Sequence, residues 1–172
     1  DAGFVIMEQV EYPPMSGTNT ICVVTALIET GMVTVEEPVT QLKLDSPAGL
    51  IAVEAEVSDG KVRRVTFENV PAFAVHLDVP IEVPHLGTVS VDVAWGGMFY
   101  VIAETEPLGL ELTPSRAGEV ARAGEMIKAA AKAQLDCVHP DNPEITGVTI
   151  AVMSGPASQP GATLKNAAVV ST

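Results

Sequence analysis

Ser16, Gly17, Thr18 and Asn19 are small polar residues that open onto a long apolar segment, Thr20 to Thr30, in which Glu29 is the only charge. Pro13 and Pro14 hold the lead-in extended, and Ser, Thr and Asn are the side chains that cap a helix by accepting a backbone N–H. Gly31 stands where a helix commonly ends through a left-handed residue. The β-branched content of the segment also fits a strand, but its length between a cap signal and a glycine favours a helix. Apolar side chains around its whole circumference predict a helix buried on every side. The N-terminus of such a helix presents unpaired N–H groups and a positive dipole end, which together suit a carboxylate. The alternative is that Ser16 or Asn19 merely caps the helix.

Met15-Ser16-Gly17-Thr18-Asn19-Thr20-Ile21 resembles the first active-site motif of the proline racemase family, in which a Met-Cys-Gly-His-Gly-like turn carries a catalytic cysteine at a helix N-terminus. Phe67-Glu68-Asn69-Val70-Pro71-Ala72-Phe73, Gly96-Gly97-Met98-Phe99-Tyr100, and Val138-His139-Pro140 through Ile145-Thr146-Gly147-Val148 follow in the family's order and at its approximate spacing. The resemblance thus covers essentially the whole chain. It implies that Ser16 is the catalytic residue, that Gly17, Thr18 and Asn19 bind substrate through their N–H groups, and that Gly96 and Gly97 sit near the pocket. Thr18 falls on the family's histidine position, and Ser16 on its cysteine. A serine there marks relatives that include hydroxyproline epimerases and trans-3-hydroxyproline dehydratases. The implied fold is α+β and diaminopimelate epimerase-like, with antiparallel sheets each curled around a central buried helix in two pseudo-symmetric lobes. A longer protein is implied too, with residues missing before Asp1 and a second active-site motif, a Ser-Pro-Cys-Gly-Thr-Gly-like turn, after Thr172.

Chemistry at an amino-acid Cα without a cofactor needs a base on one face, an acid on the other, and stabilisation of the carboxylate as it gains enediolate character. In the family two facing helix N-termini supply this geometry, and no cofactor is expected. A serine hydroxyl is a far poorer base than a thiol at a helix N-terminus. The expected division of labour is therefore a thiol on the missing helix removing the Cα proton, with Ser16 passing a proton to the opposite face of Cα or to a departing 3-hydroxyl. The first outcome is epimerisation and the second dehydration. The expected function is trans-3-hydroxy-L-proline dehydratase and/or hydroxyproline 2-epimerase, with proline racemase as the runner-up and no turnover by these residues alone. From a different class, a catalytically dead member acting as a small-anion binding module or scaffold is the alternative.

The elements that must position Ser16 are legible from periodicity. Gly3 to Met7 reads as a strand feeding the helix. Val39 to Leu44 alternates, and Ile51, Val53, Ala55 and Val57 alternate with Ala52, Glu54, Glu56 and Ser58, a half-buried strand. Asp59-Gly60 suits a type I′ hairpin, so residues 40 to 70 are expected to form an antiparallel meander covered by the helix. Pro71, Pro80 and Pro84 suggest a crossover between lobes, dividing the chain into 1–70, with the catalytic helix, and 71–172, lacking its own. A second meander follows at Val89, Val91 and Val93, then the Gly96-Gly97 turn and a strand from Met98 to Ala103. Thr113-Pro114 starts an amphipathic helix with Ala117, Val120, Ala121, Gly124, Ile127 and Ala131 on its buried face. Ile145 to Met153 and Leu164 to Val170 read as strands.

Composition limits the partners. With 22 acidic against 9 basic side chains, a net charge of −13 opposes nucleic acid, and no apolar stretch or basic leader reads as a membrane span or signal peptide. A small molecule, proline or hydroxyproline, is the expected partner, with a homodimer as the candidate assembly. Cys22 and Cys137 show neither disulfide nor zinc spacing, which fits a reducing cytoplasm, and Cys22 reads as a small core side chain. His76, His85 and His139 are dispersed and read as satisfied or surface histidines rather than metal ligands, with His139 the least certain.

Overall fold

The computed structural model describes residues 1–8 and 11–170, so the last two residues of the Asn166 to Thr172 run lie outside the described part. The chain divides into two compact units, Asp1–Pro71 and Ala72–Thr172.

In the first unit, β1 (Ala2–Gly3), β2 (Val39–Ser46), β3 (Gly49–Ser58) and β4 (Lys61–Glu68) form a sheet in sequence order, with helix α1 (Gly17–Glu29) between β1 and β2 in the chain. β1 runs parallel to β2, and the remaining pairs are antiparallel. The period of two explains the register. Leu42 faces Val53, Leu44 faces Ile51 and Thr40 faces Ala55, all on the buried face. Asp59 and Gly60 take φ of 55° and 68°, the left-handed pair that a type I′ turn requires between β3 and β4. The expected strand from Gly3 to Met7 reduces to Ala2–Gly3.

α1 packs on this sheet, but it is not enclosed on every side. Thr20, Val24, Leu27 and Ile28 are buried, whereas Ile21, Cys22, Ala26 and Glu29 are exposed. The sequence suggested an all-round apolar helix because nothing in it separates the faces by polarity. The sheet covers only the stripe recurring at three and four residues. Cys22 lies outside the core for the same reason: contrary to the expectation of a small core side chain, it is exposed on the uncovered face of the helix. Fully burying an aliphatic side chain is worth roughly 1.5–3 kcal/mol, so Val24, Leu27 and Ile28 suffice to anchor the helix against Leu42, Leu44, Ile51 and Val53.

The second unit holds β5 (Phe73–Val83), β6 (Gly87–Trp95), β7 (Phe99–Glu104), α2 (Ala117–Gln134), β8 (Ile150–Pro156) and β9 (Leu164–Val170), its sheet again in sequence order. The pairings are antiparallel except β7 with β8, which is parallel and spanned by the α2 crossover. Residues 73–83 are a strand, not the aperiodic crossover their prolines suggest. Pro80 is tolerated because β5 lies at one edge of the described sheet, and bulges around His76 absorb the broken period. Pro114 opens a single 3₁₀ turn, Pro114–Arg116, that runs into α2. Within α2, Ala117 and Ala121 are exposed, and Ala123, Lys128 and Ala130 join the buried face instead. Gly124 permits close approach to β9: a Cβ there would stand 2.6 Å from Val169 Cγ2. The expected strand from Ile145 begins only at Ile150, because residues 137–147 close on themselves. Val138 bridges Thr146, and the Gly147 N–H donates to the Cys137 carbonyl.

Candidate active site

The segment before α1 is fixed from below. Pro13 and Met15 are buried, and the Ala48 N–H donates to the Pro14 carbonyl at 3.3 Å, tying the lead-in to the β2–β3 turn. Ser16 then takes an extended conformation, φ −144° and ψ 125°, and is the N-cap of α1. Its Oγ accepts the Asn19 N–H at 3.5 Å, the outer limit of a hydrogen bond, so the hydroxyl is held loosely. Its carbonyl is held firmly, accepting the Thr20 N–H and the Thr20 hydroxyl at 2.9 Å each.

The first helical bond is therefore the one from Thr20, and the N–H groups of Gly17 and Thr18 have no intrahelical acceptor. No acidic side chain occupies the first turn to offset the positive dipole end. Ser16, Gly17 and Asn19 are half-buried and Thr18 is exposed, so a polar mouth with free donors meets solvent. An anion is what such a mouth attracts, and a loosely held hydroxyl beside it can give or take a proton. The opposite end of α1 carries Glu29, where a carboxylate opposes the dipole. Its hydrogen bond from Lys61, at 2.6 Å, and another from the Val62 N–H hold its pKa below the usual carboxylate value.

Two residues at the mouth escaped the sequence reading. The tip of the Phe67 ring lies 3.0 Å from where a Cβ on Gly17 would stand, so β4 closes one wall of the first turn, and a side chain there would have to push the ring aside. Phe67 opens the Phe67 to Phe73 motif, and its place on the half-buried face of β4 is the signal that the sequence offers. Thr20, which in the sequence merely starts the apolar segment, is the second.

Gly96 and Gly97 lie in the second unit, in the turn joining β6 to β7. Gly97 is buried with φ 105°, and the Gly96 N–H donates to the Met98 carbonyl at 3.1 Å. Ser16, Gly17, Thr18 and Asn19 thus share one turn, while the glycine pair belongs to a different unit. His139 is half-buried, 4.6 Å centroid to centroid from Trp95 and 5.7 Å from Phe73, and its Nδ1 accepts the Asp141 N–H at 3.2 Å. Its contacts are those of a packed loop residue. His76 Nε2 lies 3.0 Å from the Asp136 carbonyl oxygen, and His85 takes φ 67° in the β5–β6 turn.

The sequence model of the proline racemase family matches residues 1–172. This chain belongs to the proline racemase family. Among solved structures it is similar to a probable proline racemase from Agrobacterium radiobacter with bound carbonate, at 31% identity and a TM-score of 0.89, covering 98% of this chain and 49% of that one. It is also similar to a hydroxyproline epimerase from Agrobacterium vitis with bound trans-4-hydroxy-L-proline, at 33% identity and a TM-score of 0.88, covering 98% of this chain and 48% of that one. The chain spans about half the length of the solved structures it matches. The α+β architecture, mixed sheets with one long helix on each, is that of these proline racemase family structures. Among the described residues, no helix is long and apolar enough to cross a membrane.

Proposed function

We propose that the protein carrying this chain abstracts the Cα proton of a hydroxyproline without a cofactor, and that Ser16 is the proton donor of the reaction. The observation that carries this reading is a loosely capped serine hydroxyl, rather than a thiol, at the N-terminus of α1. Membership of the proline racemase family supports isomerase chemistry at Cα, and the epimerase relative with its bound hydroxyproline supports the substrate class. The N–H groups of Gly17 and Thr18, joined by that of Asn19 when it turns from the Ser16 hydroxyl, bind the substrate carboxylate and stabilise it as it becomes an enediolate. Gly96 and Gly97 are proposed as further substrate contacts.

Ser16 meets the substrate as a neutral hydroxyl that carries its proton, whereas a thiolate arrives without one, so the serine is assigned the donor's part. With trans-3-hydroxy-L-proline, a base on the family's second helix takes the Cα proton, and the electron pair forms the C2=C3 bond. The C3–O bond breaks, and hydroxide leaves as water with the proton from Ser16. The enamine product tautomerises to a cyclic imine, and the base is restored by releasing the Cα proton to solvent while the serine oxygen takes a proton back from it. Epimerisation is the second reading, favoured by the hydroxyproline epimerase relative. There Ser16 returns a proton to the opposite face of Cα.

The test incubates the full-length protein with proline, trans-4-hydroxy-L-proline and trans-3-hydroxy-L-proline in deuterated water, following Cα exchange and loss of the hydroxyl by NMR. Imine formation from the 3-hydroxy compound, with poor turnover of proline, is expected. Ser16→Cys should move the balance towards epimerisation, since two groups of similar basicity can exchange roles across Cα. Efficient two-way racemisation of proline without hydroxyproline turnover would replace this reading with that of a proline racemase.

A further inference from the structure

Thr20 is wholly buried, at 0% exposure, in the stripe that α1 turns to its sheet, where its companions Val24, Leu27 and Ile28 are apolar. Valine has the same shape and would bury there without a hydroxyl to satisfy, so a polar residue at this position needs a reason. The hydroxyl donates to the Ser16 carbonyl at 2.9 Å, beside the Thr20 N–H at the same distance, and the two donors together fill both lone pairs of that oxygen. Thr25 and Thr30 make the same kind of bond to Ile21 and Ala26, at 2.8 and 2.6 Å. Those hydroxyls are within reach of water, so their bonds replace an alternative that Thr20 lacks. The only group that gains a second donor from Thr20 is the backbone of Ser16.

We propose that Thr20 is a positioning residue for Ser16. Two hydrogen bonds on the Ser16 carbonyl hold the peptide plane after it, the Ala48 N–H on the Pro14 carbonyl holds the chain before it, and together they set the Ser16 ψ and the direction of its Cα–Cβ bond. The 3.5 Å cap to Asn19 leaves the hydroxyl itself free to rotate on that fixed base. A backbone pinned from beneath and a side chain free above are what a proton donor needs to meet a leaving oxygen repeatedly in one geometry. The inference rests on the reading of Ser16 as the proton donor.

Two substitutions separate this role from simple packing. In the full-length protein, Thr20→Val keeps the shape and removes the hydroxyl. It should hold or raise the melting temperature while kcat falls roughly three- to tenfold, the weight of one ordinary hydrogen bond. KM should stay within about twofold, as expected for an interaction that matters only in the transition state. Thr20→Ser keeps the hydroxyl and removes a buried methyl, so its melting temperature should fall while kcat is retained. A merely structural Thr20 would make kcat follow stability, and that pattern overturns the proposal. If Thr20→Val does not fold, Thr20→Ala is compared with Thr20→Ser well below both melting temperatures. A rate kept by serine and lost by alanine supports the role, and equal rates overturn it. Ser16→Ala run in parallel separates the two levels. If it keeps full activity, the reading of Ser16 fails and this inference with it. If it abolishes turnover while Thr20→Val matches wild type, only the inference fails.

Discussion

Ser16→Ala separates a capping serine from a catalytic one, because the two roles predict opposite balances of stability and rate. Replacing a serine N-cap by alanine typically costs about 1 kcal/mol. Here the cap bond to Asn19 is 3.5 Å long, and Met15, Val24 and Leu27 anchor the helix start and middle in the core independently of it. A bond at that limit contributes well under a normal cap, so the expected loss is about 0.3–0.5 kcal/mol. For a unit the size of Asp1–Pro71, 1 kcal/mol moves a melting temperature by roughly 4–8 °C, which puts the expected fall at about 1–4 °C. Loss of a positioned proton donor, by contrast, lowers a rate by about 10²–10⁴. The assay is thermal unfolding of the full-length protein by circular dichroism, paired with the NMR turnover measurement on the same preparation. A melting temperature lower by about 8 °C or more, with hydroxyproline turnover intact, would make Ser16 a cap and nothing else.

Gly124→Ala should destabilise despite the better helix propensity of alanine. The new Cβ would meet Val169 Cγ2, Cβ and Cγ1 at 2.6, 2.9 and 3.2 Å, and a β-branched side chain on a strand cannot swing clear. Overpacking of about 1–3 kcal/mol outweighs about 1 kcal/mol of propensity, and Val169→Ala in the same chain should recover part of the loss in a denaturant titration. Tyr100 supplies a pH test. Burial raises its phenol pKa above the usual 10.0, so the neutral form is the one the fold favours. That contribution is fully present below the unfolded value and is lost as pH rises through the folded one. Stability should therefore fall on the alkaline side of about pH 10, and Tyr100→Phe should flatten that slope in a denaturant titration followed against pH.

Chemistry written over short distances is legible in the residues alone. The small polar turn at Ser16 to Asn19 marks a helix start because cap preference is local to a few residues. Asp59-Gly60 marks a hairpin because only certain residues accept left-handed backbone, and Ile51, Val53, Ala55 and Val57 mark an inward face because a strand repeats every second residue. The motifs that carried the family resemblance are of the same local kind. Tertiary structure decided whatever depends on which surface meets which. α1 carries apolar residues on both faces, and only the sheet laid against Thr20, Val24, Leu27 and Ile28 makes one of them the buried face, leaving Cys22 outside. The prolines of residues 73–83 read as breakers until the strand falls at an edge, where Pro80 disturbs the ladder least. Phe67 and Gly17 are far apart in the chain, and their contact exists only once β4 lies beside the helix mouth. The second donor on the Ser16 carbonyl also waited on the fold. Threonine at that spacing can always bond back along a helix, but burial is what removes water as its alternative and leaves its hydroxyl committed to the backbone of Ser16.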